Sequence, residues 1–417
     1  MSAQPAKDPT DVLIVGAGHA GVALVAQLVK AGHTGSITVV DAQNELPYER
    51  PPLSKGYLLG DVTDDELLLR RPDYWRAGHT DLRLGVTVTG VDPAMHTVTL
   101  DTGELIGYRT LVWATGAAAR RLPLPGADAP NVLSARTLDD IRRLAALTEH
   151  ADEFVLIGGG YIGLETAASL AKLHKQVTVL EAQDRLLARV TGPTIAGFLR
   201  DTHLQNGVQV HLSARIEGLE QTAGNVTAVL LDDGTRLPAD VVIVGIGVEP
   251  RLDVLQRAGV AIGNGVLVDP AGRTNVPEVF AIGDVAATLD PASGTSLRLE
   301  SVPNVTEHAK RVAAALTIST APVPAVPWFW SNQYDVRLQT AGVLTGYDRE
   351  VVRPSATPGG LVVGYFAGEV LIAADCVNSP RDFAAIRTAL GAGVPITPEQ
   401  FADPAQPLRA VAGAVTR

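Results

Sequence analysis

One glycine-rich pattern occurs twice in the chain, each time between a predicted β-strand and a predicted helix. The first copy is GAGHAG, residues 16–21, which follows the apolar run 11–15. A helical pattern continues to about Lys30, and a second strand at 37–40 ends in Asp41. This order of strand, glycine turn, helix, strand and acid is typical of a dinucleotide-binding unit. The pattern therefore predicts an α/β fold of the Rossmann type.

The residue types of the first copy suit the binding of a pyrophosphate. Gly16 permits the tight turn, Gly18 lets the backbone approach the phosphates, and Gly21 lets the helix pack closely on the strand. The helix N-terminus attracts the phosphates, and the acid can accept hydrogen bonds from a ribose. We expect the histidine in the turn to fill space rather than to catalyse. The predicted contacts of this site are Gly16, Gly18, His19, Ala20, Gly21 and Asp41.

The second copy repeats the whole arrangement. Its turn is GGGYIG, residues 158–163, placed after a predicted strand at 153–157 and before a predicted helix at 164–173. The next predicted strand, 177–180, again ends in an acid. Two complete units predict two dinucleotide sites. The predicted contacts of the second site are Gly158, Gly160, Tyr161, Ile162, Gly163 and Glu181.

Composition and charge limit the class of protein to which the chain can belong. The 417 residues suffice for two or three domains, and 46% hydrophobic residues with 41 glycines suit a turn-rich α/β protein. A net charge of −11 argues against nucleic acid as the main partner. The longest apolar runs, such as 241–248, have strand length, and residues 1–10 lack the apolar stretch of a signal peptide. We therefore expect a cytoplasmic protein without a membrane anchor.

Two further segments indicate which dinucleotide each site holds. The strand at 111–113 ends in Ala114-Thr115-Gly116, and the strand at 279–282 ends in Gly283-Asp284, with a helix expected directly after it. The combination resembles the pyridine-nucleotide-dependent disulfide reductase superfamily. That resemblance implies FAD at the first glycine turn, with Asp284 on its ribityl chain, and a nicotinamide dinucleotide at the second turn.

The resemblance also implies the domain order. The fold class is α/β, with two Rossmann-like domains of the glutathione-reductase type, the NAD domain inserted in the FAD domain, and a small α+β C-terminal domain. We predict an FAD domain at 1–116 and 249–324, an NAD domain at 117–248, and a C-terminal domain at 325–417. A stretch rich in proline and alanine, 321–327, marks the start of the last domain.

Cysteine usage separates this chain from the disulfide reductases of that superfamily. Cys376 is the only cysteine, so no disulfide can form within the chain, and an electron relay through a cysteine pair is excluded. A single redox cysteine would be expected in the segment 41–57, which has none. We expect Cys376 to be a buried packing residue. The nine histidines show no metal-ligand spacing, so no metal site is predicted.

Longer strings resemble one group within the superfamily, the bacterial ferredoxin reductases of the putidaredoxin reductase and aromatic-dioxygenase reductase type. The strings are PYERPPLSK (47–55), RLLARVTGP (185–193), ESVPN (300–304), PWFWS (327–331) and VNSPRDF (377–383). Two departures from that group are Asn332, where an aspartate is expected, and alanines at 117–119, where arginine-proline is more usual. The resemblance implies further FAD contacts at Arg50, Lys55, Thr87, Ala114, Thr115, Gly116, Arg121, Gly283, Asp284, Ser301, Val302 and Trp330. It implies further NAD contacts at Glu165, Arg189 and Gly247.

The same resemblance implies a division of roles near the flavin. Lys55 and Glu165 match positions that approach each other near flavin N5, where a cation stabilises reduced flavin and the carboxylate tunes the lysine. The alternative is two unrelated surface charges. Trp330 is expected beside the flavin on the electron exit, or else in the core. Tyr161 is expected to cover the flavin until nicotinamide displaces it, or to pack its helix.

Glu181 bears on the choice between NADH and NADPH. A carboxylate at this strand end can bond both ribose hydroxyls of NADH and repels the 2′-phosphate of NADPH, for which arginine is usual. The neighbours Ala182 and Gln183 are uncharged, and the nearest base is Arg185. We therefore expect NADH.

These inferences together predict an NADH:ferredoxin reductase. Flavin takes a hydride from NADH and returns single electrons, as a two-iron two-sulfur ferredoxin requires. The ferredoxin is expected to dock transiently on a basic patch and to serve a cytochrome P-450-type monooxygenase or a Rieske dioxygenase. The alternatives are a small-molecule reductase acting on a quinone, monodehydroascorbate or oxygen, or an NADH-sensing flavoprotein similar to apoptosis-inducing factor. The sequence leaves a monomer and a weak homodimer open.

Overall fold

The apolar run near the start of the chain forms a strand, Thr10–Val15, that is almost wholly buried, as expected at the centre of a parallel sheet. The computed structural model describes residues 8–77, 80–290, 293–317, 319–320, 322–355 and 357–408. Residues 1, 321 and 417, at which predicted domains or linkers begin or end, lie outside the described residues. The chain groups into two compact units, the first Met1–Glu49, Thr63–Ala118 and Val248–Pro324, the second Arg50–Val62, Ala119–Gly247 and Ala325–Arg417.

The first unit contains a seven-stranded sheet with a parallel core and an antiparallel flank. In order across the sheet its strands are Thr80–Arg83, Ile37–Val40, Thr10–Val15, Leu105–Trp113, Thr97–Leu100 and Val88–Asp92, with Val279–Ala281 paired to Leu105–Trp113. A four-stranded sheet follows the order Ile262–Gly263, Gly265–Val268, Ala286–Leu289 and Ser296–Leu297.

Helices on the first unit place their apolar faces on the seven-stranded sheet. Leu24, Val25 and Leu28 of the first helix are fully buried against residues of the sheet and of the last helix of the unit. The helices are His19–Lys30, Asp64–Leu67, Pro72–Ala77, Asp253–Arg257 and Val302–Leu316, with a 3₁₀ turn at Gly283–Val285.

The second unit contains two larger sheets and a small one. A parallel sheet has the order Gln209–His211, Gln176–Leu180, Glu153–Ile157, Val241–Val244 and Val132–Ser134. An antiparallel sheet has the order Trp328–Gln333, Val336–Gly342, Val370–Val377, Leu361–Ala367 and Arg349–Pro354. The small antiparallel sheet consists of Ile216–Thr222, Asn225–Leu231 and Arg236–Pro238.

Three α-helices of the second unit alternate along the chain with the strands of the parallel sheet, and two follow the last strand, Val370–Val377. The helices of this unit are the π-helical turn Leu53–Tyr57 and the α-helices Leu138–Thr148, Tyr161–Lys172, Pro193–Gln205, Pro380–Gly391 and Pro398–Ala402. Two further short strands of the chain are Ala118–Ala119 and Val248–Glu249.

The expected α/β fold with a C-terminal α+β part is confirmed, and two local expectations change. The second glycine turn leads into a helix that begins at Tyr161, three residues before the expected start, because Gly160 is itself the N-cap. No α-helix follows Gly283-Asp284 directly; the segment makes a 3₁₀ turn and then the strand Ala286–Leu289. The segment Arg50–Val62 groups with the second unit rather than with the first. The predicted domain limits themselves stay predictions.

The buried carboxylate of Asp375 joins the segment Thr191–Gly192 to the five-stranded antiparallel sheet. Asp375 has no exposed surface and accepts hydrogen bonds from the hydroxyls of Thr340 at 2.5 Å, Tyr365 at 2.6 Å and Thr191. Burial raises the pKa of Asp375, while the three hydroxyl donors lower it. The Tyr365 hydroxyl also accepts from the Gly192 amide at 3.1 Å, so the start of the helix Pro193–Gln205 is fixed to this sheet.

We predict that Asp375→Val lowers the free energy of unfolding by about 3 kcal/mol, because three buried hydroxyls would lose their acceptor at about 1 kcal/mol each. Denaturant unfolding of the flavin-loaded protein measures this change. Asp375→Asn keeps one acceptor oxygen and should lose less. Asp128→Ala, at a side chain that is 89% exposed, serves as the control. Equal stability of Asp375→Val and the unsubstituted protein would show that the cluster adds nothing.

Candidate dinucleotide and flavin sites

The first glycine turn is closed so tightly that only glycine fits at two positions. Gly16 has φ +108°, and a Cβ there would overlap the carbonyl oxygen of Ala114. A Cβ on Gly21 would overlap the carbonyl oxygen of Gly16. The turn therefore brings the strand end, the helix start and the segment 114–116 together. Thr115 is exposed, and Gly116 has φ +65°.

The mouth of this turn fits a dinucleotide pyrophosphate. Gly18 is the N-cap of the helix His19–Lys30, makes no side-chain cap, and has no atom within 4 Å of the place where a Cβ would stand. The helix N-terminus thus has room beside Gly18, which suits an anion. Asp41 accepts hydrogen bonds from the Ala17 amide at 2.6 Å and the Gln43 amide at 2.8 Å. Val86 donates to the Asp41 carbonyl at 3.0 Å, which places the exposed Thr87 close by.

The Gly283-Asp284 turn packs on the first helix. Gly283 has φ +76°, and a Cβ there would lie 2.9 Å from the Cβ of Ala20. The Gly283 amide donates to Nδ1 of the buried His308 at 3.1 Å, and Nε2 of His308 lies 3.3 Å from the Thr288 hydroxyl. Burial lowers the pKa of His308 to about 4, with Arg311 acting in the same direction. The neutral imidazole therefore fixes the turn that carries Asp284.

The second glycine turn has the same construction. Gly158 has φ +112°, and a Cβ there would overlap the carbonyl oxygen of Gly245, while a Cβ on Gly163 would overlap that of Gly158. Gly160 caps its helix without a side-chain bond and faces open space. The carboxylate of Glu181 accepts from the Gly159 amide at 2.7 Å and the Gln183 amide at 2.8 Å. This geometry also fits a dinucleotide.

Arg189 and Gly247 lie beside each other in the second unit. Gly247 has φ +103°, and a Cβ there would be 3.3 Å from Nη2 of Arg189. Ile162, on the first turn of the helix, is 45% exposed. Both features place predicted nucleotide contacts on accessible surface.

Lys55 and Glu165 form an ion pair, with Nζ 2.5 Å from Oε2. Glu165 is buried, and Lys55 is partly exposed. The hydroxyls of Ser54 and Ser331 each donate to the Glu165 carboxylate at 2.8 Å. The sequence expectation that this lysine and this glutamate approach each other is confirmed as geometry; the alternative of two separate surface charges is wrong.

Aromatic side chains cluster on the strand Trp328–Gln333, which also carries Ser331. The Tyr161 ring lies 4.6 Å from the Phe329 ring between centroids, and Trp330 lies 6.2 Å from Phe329 and 5.5 Å from Trp328. The Tyr161 hydroxyl is buried and hydrogen-bonded to Thr340, and burial raises its pKa. Trp330 is partly exposed. The roles of Tyr161 and Trp330 at the flavin stay predictions.

The other predicted contacts lie in different settings. Ser301 caps the helix Val302–Leu316 by accepting from the Asn304 amide at 3.3 Å, and Val302 is partly exposed. Arg50 is partly buried and lies 3.5 Å from the Arg136 carbonyl. Arg121 is exposed and forms an ion pair with Asp128 at 3.1 Å. Its contact with FAD stays a prediction.

Several residues of these sites escaped the sequence analysis. Ser54 and Ser331 stood inside strings that resemble the ferredoxin reductases, so that signal was present. His308 and Asp375 had none, because each acts through partners distant along the chain. Cys376 is buried, as expected, and burial raises the pKa of its thiol.

The described residues hold neither a metal-ligand cluster nor a membrane-spanning helix. No group of three or more histidine, cysteine, aspartate or glutamate side chains there is placed to hold a metal ion. No helix among them is long and apolar enough to cross a bilayer.

Two known protein families together match almost the whole chain. Residues 10–311 match the family described as pyridine nucleotide-disulphide oxidoreductase, and residues 328–412 match the reductase C-terminal family. The chain therefore belongs to the pyridine nucleotide-disulphide oxidoreductase family and is an oxidoreductase. Membership implies a flavin and a pyridine nucleotide as cofactors.

Within that family the chain belongs with the ferredoxin reductases. It is 42% identical to the ferredoxin reductase subunit of a 5,5'-dehydrodivanillate O-demethylase from Sphingobium sp., over 97% of this chain and 98% of that protein. It is 37% identical to the putidaredoxin reductase of Pseudomonas putida, over 97% of each chain. A crystal structure of the covalent putidaredoxin reductase–putidaredoxin complex superposes with a TM-score of 0.94 at 37% identity, covering 98% of this chain and 99% of that one.

A pH effect on stability should come from His308. In the unfolded chain its pKa is near 6.5, and in the folded state it is about 4, so the stabilisation is fully present above pH 6.5. It should be lost progressively as pH falls from 6.5 to 4, by up to about 3 kcal/mol. Denaturant unfolding at pH 7 and pH 4.5 measures the loss.

His308→Asn is the matched control for this prediction. Its Oδ1 can accept from the Gly283 amide as Nδ1 does, but an amide does not titrate in this range. The variant should therefore lose less stability than the unsubstituted protein between the two pH values. Identical losses would contradict the role given to His308.

Proposed function

We propose that the chain is an FAD-dependent NADH:ferredoxin oxidoreductase that passes electrons from NADH through FAD to a two-iron two-sulfur ferredoxin. The observation that carries the proposal is the presence of two complete dinucleotide cradles in a chain whose only cysteine is buried. Such a chain has the two cofactor sites of its family but no thiol pair to reduce. Electrons taken from a nicotinamide must then leave from the flavin itself.

The first cradle is proposed to hold FAD. The open helix N-terminus at Gly18 would take the pyrophosphate, Asp41 the adenosine ribose, and Asp284 the ribityl chain. Close packing of Gly283 on Ala20 supports this, because it places Asp284 at the start of the same helix that would bind the phosphates.

The second cradle is proposed to hold NADH rather than NADPH. Glu181 keeps a negative charge at the end of its strand, where the adenosine ribose would lie. The nearest base, Arg185, donates to the Ala188 carbonyl at 2.9 Å and is thereby occupied. A 2′-phosphate would therefore meet the Glu181 carboxylate, while the nearest base along the chain is directed at a backbone carbonyl.

The Lys55–Glu165 pair is proposed to tune the flavin. A bound flavin supplies the conversion of one two-electron step into two one-electron steps. Lys55 can present a cation to a reduced, anionic ring, and Glu165 fixes the direction of the ammonium group. Trp330 is proposed as the side chain beside the flavin on the exit toward the ferredoxin.

The partner is proposed to be an acidic ferredoxin that serves a haem monooxygenase of the cytochrome P-450 class or a Rieske dioxygenase. A ferredoxin reductase for the CYP199A2 system from Rhodopseudomonas palustris supports the first alternative; it superposes with a TM-score of 0.93 at 36% identity, covering 97% of this chain and all of that one. The Sphingobium relative is a subunit of an O-demethylase. Docking is proposed to be transient and electrostatic. The cytoplasmic location and the choice between monomer and weak homodimer stay predictions.

We predict that a two-iron two-sulfur ferredoxin raises NADH oxidation by the purified protein many-fold, with cytochrome c as final acceptor. Raising the salt concentration should lower this coupled rate, because it screens an electrostatic encounter. NADH reduction of the flavin should change little. Steady-state and stopped-flow assays at low and high salt measure the two rates separately.

Two outcomes of this experiment would redirect the proposal. If the flavin reduces quickly and ferredoxin adds nothing, the acceptor is a small molecule or the protein is a redox sensor. If both rates respond equally to salt, the proposed docking patch is wrong.

Cys376→Ala should retain the full ferredoxin-dependent rate, because this thiol is buried and takes no part in the proposed chemistry.

We predict that Glu181→Ser lowers the ratio of kcat/KM for NADH to that for NADPH by about tenfold or more, since one tenfold step corresponds to about 1.4 kcal/mol of discrimination. Asp184→Ser removes a nearby exposed carboxylate and should leave the ratio unchanged. An unchanged ratio in Glu181→Ser would remove the basis for the NADH assignment.

A further inference from the structure

Glu165 is the end of a line of polar side chains that runs away from Lys55. The Ser331 hydroxyl lies 2.8 Å from Oε1 of Glu165, and Nε2 of Gln333 lies 3.1 Å from the Ser331 hydroxyl. Beyond Gln333, its Oε1 is 2.9 Å from Nε2 of His203, and Nδ1 of His203 is 3.1 Å from the Tyr334 hydroxyl. All five side chains belong to the second unit.

This line is buried except at its far end. His203 has no exposed surface, Ser331 and Gln333 are buried, and Tyr334 is partly exposed. His203 lies on the helix Pro193–Gln205, whereas Ser331 and Gln333 lie on the strand Trp328–Gln333. A buried polar group without a hydrogen-bond partner lowers the stability of the fold by about 1–3 kcal/mol. Each of these side chains therefore needs the hydrogen bond that its neighbour in the line provides.

The carboxylate sets the direction of every hydrogen bond in the line. An ionised carboxylate only accepts, so Ser331 must donate to Glu165. The Ser331 oxygen then accepts from the amide nitrogen of Gln333, which turns Oε1 of Gln333 toward His203. That oxygen only accepts, so Nε2 of His203 carries the proton.

His203 is consequently fixed as the neutral Nε2–H tautomer. Its Nδ1 accepts from the Tyr334 hydroxyl, and the two ring planes meet at 66°. Burial lowers the pKa of His203, although the bond to Gln333 acts the other way. The line requires only the donor at Nε2, and burial, by favouring the neutral ring, leaves Nδ1 as the acceptor from Tyr334.

We infer that His203 is a positioning residue for the Glu165 carboxylate, acting through Gln333 and Ser331. The inference rests on the proposed function, in which Glu165 orients Lys55 toward the flavin. Without the N–H of His203, the Gln333 amide can turn over and present its oxygen to Ser331. Ser331 would then donate to Gln333, Glu165 would lose one of its donors, and the charge balance at Lys55 would change.

The first test observes the tautomer directly in the flavin-loaded protein. Nitrogen-15 NMR of histidine-labelled protein distinguishes Nε2–H, Nδ1–H and doubly protonated rings, and His203→Gln assigns the signal. We expect a neutral Nε2–H ring at pH 7. The Nδ1–H tautomer would reverse the line and overturn the inference, whatever the enzyme's activity. A doubly protonated ring would keep the Nε2–H donor to Gln333 and so would support the line.

The second test asks whether His203 and Ser331, which do not touch, act through one path. His203→Leu and Ser331→Ala should each slow flavin reduction by NADH about tenfold, the effect of roughly one lost hydrogen bond to a charged group. The double variant should also be about tenfold slower, because the second change removes nothing further. Independent effects would multiply to about a hundredfold and would contradict the inference.

Matched variants separate positioning from simple loss of packing. His203→Gln can place an amide N–H where Nε2 stood, so it should recover most of the rate that His203→Leu loses. His150→Leu, at an exposed histidine, is the surface control. Dye-equilibrated measurement of the flavin midpoint potential, which uses neither NADH nor ferredoxin, should shift in His203→Leu and Ser331→Ala by the same amount. Unequal or absent shifts would reduce His203 to a packing residue.

These outcomes are distinct from failure of the proposed function. If the protein binds no flavin, or ferredoxin takes no electrons, the proposed function fails while the tautomer result still stands or falls by NMR. If ferredoxin is reduced and the double variant behaves additively, the function stands and the inference fails.

Discussion

The charge of Glu165 is the constraint on which the second unit depends. Taking a carboxylate out of water costs several kcal/mol unless donors surround it. Here the donors come from two separate parts of the chain, the π-helical turn with Ser54 and Lys55 and the strand that carries Ser331, and they meet the acceptor on a third, the helix that carries Glu165. Ser54 is fixed again through its carbonyl, which accepts from Ser169 at 2.7 Å. One buried charge thus requires all three segments to be placed accurately, and it fixes the ammonium group of Lys55.

The two glycine turns show how much a local pattern can predict. A Cβ at Gly16, Gly21, Gly158 or Gly163 would overlap a backbone oxygen, so these residues could be assigned their roles from the sequence alone. The acids at the two strand ends were predictable for the same reason, since each bonds the backbone of the glycine turn nearby. Sequence and geometry agree where the contacts are local.

Contacts between distant segments explain what the sequence did not reveal. The helix expected after Gly283-Asp284 is replaced by a strand, because Ala286–Leu289 pairs with Gly265–Val268 and pairing outweighs local propensity. The histidine that fixes this turn comes from the helix Val302–Leu316, and nothing in its own neighbourhood marks it. Asp375 and His203 are similar cases. The Lys55–Glu165 pair was accessible only because longer strings resembled a known group of reductases.

The central claim is that the flavin is the only redox group between NADH and the outgoing electrons. Anaerobic titration of the flavin-loaded protein with NADH, followed by the loss of flavin absorbance, tests it directly. The account predicts complete reduction by one equivalent of NADH per flavin, because one hydride carries the two electrons that a flavin accepts. A requirement for two equivalents would reveal a second two-electron centre and would contradict the account.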